Sequence, residues 1–496
     1  MPATDAGRER PADVLDSAEA GGLVVRGGIV RVAGFVGGLL FSLGGVALVT
    51  RHLGPALYAR YQTVASLIMV VAALTDLGMS TLGVREYVQR RGDDRLQLMR
   101  LLLGLRLVLT AAGVLVAMAI IASAEDWGWE LVVGTGLMGI GVVFTVLQTT
   151  LAIPLNADLR LGTITAIDVT RQAATALLFA GLVAAGAGIL PFLAVTVPVH
   201  AALLVWTALL VRDRIPLRPR FDRRASWVLI RSSVAFAMAT AVGITYQYIA
   251  QILTTFVADD TAAGLFSASF RVFIVVAAIP GLLVTSAFPL LSRAAEGDGR
   301  RLANVVRGLF DGTLLLGIAA AITCVLGAPA IIEVVAGPQY ADAAGALRIQ
   351  GAALLMTFVI ATWGFTLLAQ HRHRPLLLAN LASLCVTAVV VAVLAAAYDE
   401  QGAAVGTLVG ESVLAVGYGF AVSRHRPELR PPLGVIARAI PAGAIAVAAG
   451  ALLGLGAVPD TILGLLVFGV LVLVLRLVPP DLLALLPERL RRQLSR

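Results

Sequence analysis

Long apolar stretches alternate with short polar segments along most of this chain. Between residues 27 and 478 each apolar stretch is about twenty residues long, which is the length that a helix needs to cross about 30 Å of hydrocarbon. A mean hydropathy of +0.91 excludes a soluble fold for the 496 residues. The pattern predicts an all-α integral membrane fold with about fourteen transmembrane helices, at residues 27–50, 61–84, 102–122, 131–154, 172–189, 190–211, 232–256, 265–291, 309–328, 347–369, 376–397, 403–422, 437–457 and 461–478.

The pattern also repeats at a constant offset of 205 residues, which aligns Tyr58-Ala59-Arg60-Tyr61 with Ala263-Gly264-Leu265-Phe266 and Gly92-Asp93-Asp94-Arg95 with Gly297-Asp298-Gly299-Arg300. The offset covers six predicted spans, so we predict two pseudo-symmetric six-helix bundles in a parallel repeat, followed by two more helices. The predicted parts are a disordered N-terminus, an N-lobe, a basic linker, a C-lobe, the last two spans and an amphipathic tail, at residues 1–26, 27–211, 212–231, 232–422, 437–478 and 479–496.

The basic residues fall unevenly on the two sides of the predicted membrane. Thirty-three of the 38 lie on one side, whereas the loops on the other side are acidic or carry aromatics, as in Glu125-Asp126-Trp127-Gly128-Trp129-Glu130. Because short basic loops stay in the cytoplasm, both termini are predicted to be cytoplasmic. This asymmetry accounts for the net charge of +8 without a nucleic-acid partner, and we expect none.

Neither a cofactor nor an enzymatic site is expected from the sequence. Cys324 and Cys385 fall inside predicted spans, and no Cys, His or carboxylate cluster has the spacing of metal ligands. A membrane polymerase or glycosyltransferase would need a loop of convergent acids, His or Arg residues. The longest predicted outer loop, at 329–346, has no such set.

Five short motifs follow one another along the chain: Thr50-Arg51-His52-Leu53-Gly54-Pro55-Ala56-Leu57-Tyr58-Ala59-Arg60-Tyr61; Leu74-Thr75-Asp76-Leu77-Gly78 with Val84-Arg85-Glu86; Gly264-Leu265-Phe266-Ser267-Ala268-Ser269-Phe270-Arg271; Phe288-Pro289-Leu290-Leu291-Ser292-Arg293; and Ala336-Gly337-Pro338-Gln339-Tyr340. Together they resemble the polysaccharide biosynthesis flippase family of the multidrug/oligosaccharidyl-lipid/polysaccharide exporter superfamily. The resemblance runs from residue 22 to about 423. The chain departs from the family at Ala59 and Arg60, and in span seven, where Tyr246-Gln247-Tyr248 stands in place of a frequent acid.

The resemblance implies a flippase that moves isoprenoid-pyrophosphate-linked oligosaccharides from the inner to the outer leaflet of the bacterial cytoplasmic membrane by alternating access, for envelope or exopolysaccharide biosynthesis. The implied partners are this lipid-linked substrate, membrane lipids, and a polysaccharide polymerase or glycosyltransferases. One alternative is a flippase for lipid II, the peptidoglycan precursor, from the same superfamily. Another is a cation-coupled multidrug antiporter, which would want acids in spans one and seven; both spans lack Asp and Glu.

Three arginines inside or at the edge of predicted spans are the candidate substrate-binding residues. They are Arg31 in span one, Arg271 in span eight and Arg348 at the start of span ten. A charge within the bilayer is costly and therefore indicates function, and a guanidinium can donate paired hydrogen bonds to a diphosphate. The alternative, which we favour for Arg31 and Arg348, is a side chain that extends to the headgroups.

Three further polar residues are candidates for binding a coupling ion. Glu411 lies mid-span with no basic neighbour in sequence, so it must be protonated, paired with another helix or exposed to water. Asp76 lies in span two, where we favour a structural pairing with an arginine. His200 in span six titrates near neutrality in water, and the alternative is an interhelical hydrogen bond.

Overall fold

The computed structural model describes residues 18–76, 78–124, 127–158, 160–215, 219–296 and 299–477. As predicted, the regular structure in these ranges is helical throughout, with short 3-10 turns at Pro338–Tyr340 and Pro427–Leu429. The predicted tail at 479–496 lies outside the described residues. The helices are α1 (Ala18–Asp76), α2 (Met79–Gln89), α3 (Gly92–Ala122), α4 (Gly128–Leu151), α5 (Ile153–Ala157), α6 (Leu161–Ala184), α7 (Ile189–Ala194), α8 (Thr196–Val211), α9 (Arg223–Val257), α10 (Asp260–Glu296), α11 (Gly299–Val335), α12 (Ala343–Ala369), α13 (His373–His425), α14 (Leu433–Leu453) and α15 (Ala457–Val474).

Eleven helical segments in the described ranges are long and apolar enough to cross a membrane. Two of them exceed a single span and are sharply bent. The bend in α1 is at Gly54, with φ 71° and ψ 173°, and the bend in α13 is at Tyr398 and Asp399. Each bend falls where two predicted spans meet, so the predicted outer loops at these points are corners within one helix. The count of about fourteen spans stays a prediction.

Three helix ends differ from the prediction. Residues 18–26, which were predicted to be disordered, form the start of α1, while residues 1–17 lie outside the described residues. Helix α9 begins at Arg223, which shortens the linker to residues 212–222. Helix α11 continues through Pro329 to Val335, where a loop was predicted. A proline removes one backbone hydrogen bond, and neighbouring helices can compensate for that loss inside a membrane.

The linker before α9 is fastened to α3. The backbone N–H of Arg220 donates to the carbonyl of Arg100 at 2.9 Å. A Cβ added to Gly104 would lie 2.3 Å from the Arg220 carbonyl oxygen, so only a glycine lets the linker approach α3 this closely.

Asp222 ends the linker and caps α9. Its carboxylate accepts hydrogen bonds from the backbone N–H groups of Ala225, at 3.1 Å, and Arg224, at 2.9 Å. Because these bonds favour the charged form, they lower the pKa of the Asp222 carboxyl below its ordinary value of 3.8. The cap satisfies N–H groups that a helix start leaves without intrahelical partners.

Helices α1–α8, here called the N-half, and α9–α13, here called the C-half, meet mainly along α1, which packs against both α9 and α10. Within the C-half, α9 packs on α13, and α12 lies among α10, α11 and α13, while the α14–α15 pair covers α11. The offset of 205 residues carries the Gly54 corner onto Asp259, which separates α9 from α10. The repeat seen in the sequence thus agrees with the helix boundaries.

The two ends of the helices differ in charge. The arginine-rich end holds the turns between α2 and α3, α8 and α9, and α10 and α11. The arginine-poor end holds the corners at Gly54 and Asp399 and the turn between α11 and α12.

Candidate functional site

A cavity of about 350 Å³ lies within the C-half, enclosed by α9, α10, α12 and α13. Much of its wall is aromatic, from Phe270, Phe273 and Phe365, and its polar groups include Gln247. Ligand sites are commonly apolar cavities with a few convergent polar groups. Among the described residues that line the cavity, the one acid is Glu411.

Glu411 is held by hydroxyl groups from two other helices. The Tyr246 hydroxyl on α9 donates to its Oε1 at 2.8 Å, and the Thr357 hydroxyl on α12 donates to its Oε2 at 2.7 Å. The side chain is only 7 % exposed, and no described basic side chain forms an ion pair with it. Glu411 lies roughly 18 Å along α13 from the Asp399 corner at 1.5 Å per residue, which places it near the middle of a span.

The Thr357 hydroxyl has a second acceptor within reach. Its oxygen lies 3.1 Å from the Ala353 carbonyl oxygen as well as 2.7 Å from Glu411. One hydroxyl proton can serve only one of these acceptors at a time. When Glu411 binds a proton, Thr357 can therefore turn to Ala353 and accept the new O–H of the acid. This arrangement lets the carboxyl gain and lose a proton with hydrogen bonds in both states.

The wall beside Glu411 carries further polar groups. The Tyr418 hydroxyl donates to Asn380 Oδ1 at 2.9 Å, which fixes that amide. The Thr387 hydroxyl also lines the cavity and is buried without a hydrogen-bond partner among the described residues. Because a buried hydroxyl without a partner is costly, this group is positioned to bind water or an ion in the cavity.

Arg271 points from α10 across to the N-half. Its Nη2 donates to the Ser42 hydroxyl on α1 at 2.9 Å, so the side chain does not extend to the headgroups. Its Nε is buried and has no partner among the described residues. Tyr58, Tyr61 and Tyr248 lie within electrostatic reach of the guanidinium. Arg271 stands roughly 16 Å, or three turns, inside α10, so its charge lies deep between the halves with a free donor.

The other predicted site residues lie elsewhere. Arg348 is exposed near the arginine-poor end of α12, and the side chain of Arg31 lies outside the described residues. His200 lies in α8 of the N-half, and its Nδ1 is buried without a described partner. The structure therefore does not gather the predicted residues into one site. It separates Arg271, at the junction of the halves, from Glu411, inside the C-half.

Asp76 is paired with an arginine, as the sequence analysis favoured. Its Oδ1 accepts from the guanidinium of Arg106, whose side chain is 3 % exposed, and from the Ser80 hydroxyl at 2.5 Å. Arg106 also donates to Thr150 at 2.7 Å. These bonds join α1, α2, α3 and α4 next to Gly78, whose φ of 68° ends the long first helix. The geometry is that of a structural ion pair.

Sequence reasoning missed several of these groups. Arg106 stands near the start of the predicted span 102–122, and its burial follows only from the packing of the helices. Tyr246 and Thr357 were not assigned to Glu411, because hydroxyl residues are common in spans and carry no spacing signal. No group of three or more His, Cys, Asp or Glu residues that could hold a metal occurs in the described part of the chain.

Comparison with protein families identifies the chain. Residues 48–345 match the family model described as "Polysaccharide biosynthesis protein". The chain belongs to this polysaccharide biosynthesis family. No curated protein matches the sequence.

Several solved structures of membrane proteins share the fold. A lipid II flippase in an inward closed conformation matches with a TM-score of 0.74 at 12 % identity, over 90 % of this chain and 98 % of the other. A multidrug resistance transporter of the superfamily matches in its inward-facing form with a TM-score of 0.63 at 14 % identity, over 81 % and 98 %. An outward-facing form matches with a TM-score of 0.57 at 15 % identity, over 82 % and 96 %. This member of the polysaccharide biosynthesis family thus has the fold of these membrane proteins, with many helices long and apolar enough to cross a membrane.

Proposed function

We propose that this protein moves isoprenoid-pyrophosphate-linked oligosaccharides across the bilayer, with Arg271 binding the diphosphate. The observation that carries the proposal is the position of Arg271. It is a permanently charged side chain deep between the two halves, and its Nε lacks a partner among the described residues. A buried donor without a partner costs free energy, and an anionic ligand at this point would recover it.

The chemistry of such a substrate fits this arrangement. The isoprenoid chain can stay in the lipid, whereas the diphosphate and the sugars must pass through a polar region between the halves. Arginine donates paired, charge-assisted hydrogen bonds to phosphate oxygens and does not lose its proton. The Ser42 hydroxyl, which now accepts from Arg271, can be replaced by a phosphate oxygen without leaving the arginine bare.

The charge asymmetry predicts the orientation of the protein in the membrane. Short loops rich in arginine stay in the cytoplasm, so the arginine-rich end faces the cytoplasm and the arginine-poor end faces outward. Both termini then lie on the cytoplasmic side of a bacterial cytoplasmic membrane. The substrate enters from the inner leaflet and leaves toward the outer leaflet, where a polysaccharide polymerase would use it.

Glu411 is the coupling group in this proposal. It is a buried carboxyl with hydroxyl partners and no described ion-pair partner, so binding a proton removes a charge that is costly within the bilayer. Tyr246, Thr357 and Glu411 belong to α9, α12 and α13, so a change in protonation alters contacts among three helices of the C-half. Asp76 is bound to Arg106 and is the weaker candidate.

The experiment that tests the substrate role compares arginine variants in cells. Arg271→Ala should abolish glycan export at normal protein levels, and Arg271→Lys should restore it only in part, because an ammonium lacks the paired donors. Arg212→Ala, which removes an exposed arginine of the linker, is the matched control and should export normally. Full export by Arg271→Ala would refute the assignment.

A further inference from the structure

Three of the sequence motifs meet at the arginine-poor end, although they are far apart in the chain. Residues 50–60 surround the Gly54 bend and are here called the α1 corner. They face residues 333–340, here called the α11 turn, and the first turns of α10. The α1 corner belongs to the N-half and the other two segments to the C-half, so every contact that the α1 corner makes with them joins the two halves.

The α1 corner has exposed carbonyl groups because of its own sequence. Pro55 has no N–H, so the Arg51 carbonyl four residues earlier loses its helical partner. The C-half supplies replacements. Gln339 Nε2 lies 3.2 Å from both the Thr50 and Arg51 carbonyl oxygens, and the Tyr340 hydroxyl donates to the Thr50 carbonyl at 3.1 Å.

The α1 corner in turn caps a helix of the C-half. The Nη2 of Arg51 donates to the Glu333 and Val334 carbonyls, each at 3.0 Å, and the Thr50 hydroxyl lies 3.3 Å from the Val335 carbonyl oxygen. These carbonyls end α11, where a helix leaves acceptors unused and carries partial negative charge. Each half thus satisfies a helix end of the other.

The junction with α10 adds an ion pair and a close backbone contact. Arg60 donates to Asp260 at 2.6 Å, with side chains 24 % and 35 % exposed. A Cβ added to Gly264 would lie 2.2 Å from the Pro55 carbonyl oxygen, so only glycine allows this approach. Beneath the pair, the buried hydroxyls of Thr63 and Thr255 lie 2.6 Å apart.

We propose that the α1 corner, the α11 turn and the Arg60–Asp260 pair form a latch that closes the arginine-poor end and opens once in each transport cycle. The contacts suit a reversible closure. Apart from the packing contact at Gly264, each is a hydrogen bond or an ion pair near the helix ends. Water can replace the partners in these bonds when the halves part, so their contribution to the free energy of opening stays small. The latch depends on how the halves move and not on which lipid is carried.

A disulfide across the latch tests whether it must open. The test variant carries Thr63→Cys and Thr255→Cys, and its natural cysteines, Cys324 and Cys385, are replaced by alanine. Oxidation should link the two new thiols in the resting protein and block transport, and a reductant should restore it. The single Thr63→Cys variant, oxidised in the same way, is the control and should stay active. A fully cross-linked protein that transports as fast as the same protein after treatment with the reductant would overturn the proposal.

A charge exchange tests the ion pair without a transport assay. In purified protein that carries Thr63→Cys as the only cysteine, Arg60→Asp or Asp260→Arg should raise the rate of maleimide labelling by roughly two- to five-fold, the effect of losing a half-exposed ion pair. The double exchange Arg60→Asp/Asp260→Arg should return the rate to its starting value. Arg90→Glu, which breaks the exposed pair with Glu86 at the end of α2, should not change it.

Equal labelling in the two single variants and the parent would overturn the latch. The labelling needs no substrate, so it can fail while the proposed lipid specificity stands, and it can succeed while that specificity is wrong.

Discussion

Glu411 offers the sharpest test of how the protein uses energy. In Glu411→Gln the side chain keeps its shape and its acceptor oxygen but cannot exchange a proton. In Glu411→Leu the polar group is lost altogether. The two variants therefore separate a proton carrier from a carboxyl that only joins helices.

The contacts of Glu411 set the expected sizes. Its two hydrogen bonds come from the Tyr246 and Thr357 hydroxyls at 2.8 and 2.7 Å. In Glu411→Leu, Thr357 can still donate to Ala353, but the Tyr246 hydroxyl loses its bond to the carboxylate. Removing the acceptor of a buried hydrogen bond costs about 1–3 kcal/mol, so the free energy of unfolding should fall by that amount. Glu411→Gln, a neutral mimic of the protonated acid, should lose less than about 1 kcal/mol.

The assay is transport by reconstituted vesicles with and without an imposed pH gradient, beside thermal unfolding of the same preparations. The parent protein should respond to the gradient, and Glu411→Gln should transport at one rate in both conditions. Glu428→Gln, which neutralises an exposed acid at the arginine-rich end, is the matched control and should respond like the parent. A normal gradient response in Glu411→Gln would eliminate the proton role. A parent protein that responds to a sodium gradient in place of a pH gradient would make sodium the coupling ion.

Three further predictions follow from the fold. Asp213→Cys, at a linker side chain that is 89 % exposed, should resist impermeant maleimide in intact cells, whereas Ser123→Cys should react. The reverse pattern would invert the topology. Asp76→Asn should lower the free energy of unfolding by about 3 kcal/mol, because it leaves the buried Arg106 without an ion-pair partner. The double change Asp76→Leu/Arg106→Met should recover most of that loss. A stable Asp76→Asn protein with an altered response to the gradient would make Asp76 a coupling site. Because the pKa of Asp222 is lowered in the folded protein, the cap is fully present above the unfolded pKa and is lost as pH falls through the folded pKa. Hydrogen exchange in the first turn of α9 should therefore accelerate below about pH 4 in the parent protein but not in Asp222→Asn. Equal acceleration in both proteins would refute the cap.

The apolar pattern predicted the class of fold and most helices, because hydrocarbon thickness fixes span length. It placed helix ends less well. Pro329 was interpreted as the end of a span, yet α11 continues through it. A proline removes one backbone hydrogen bond, and neighbouring helices can compensate for that loss inside a membrane. Tyr398 and Asp399 were interpreted as a loop, yet they form a corner within α13. Polar residues near a span edge bend a helix or end it according to tertiary contacts, which a local pattern does not contain.

The sequence likewise predicted one part of the candidate site and not the rest. Glu411 could be singled out because a lone acid in an apolar span is costly, whatever surrounds it. Its partners could not, because Tyr246 and Thr357 come from spans 165 and 54 residues away. The repeat and the motifs placed the Gly54 corner and the start of α10 in equivalent positions. That these segments meet the α11 turn follows only from the way the two halves pack.

The proposed transport is tested most directly by following the substrate itself in proteoliposomes that hold one isoprenoid-pyrophosphate-linked oligosaccharide. An impermeant glycan-cleaving enzyme detects the arrival of the oligosaccharide in the opposite leaflet. The parent protein should expose the glycan, Arg271→Ala should not, and Arg271→Lys should do so slowly. A parent protein that moves lipid II or a cationic drug but leaves the oligosaccharide lipid in place would contradict the proposed transport.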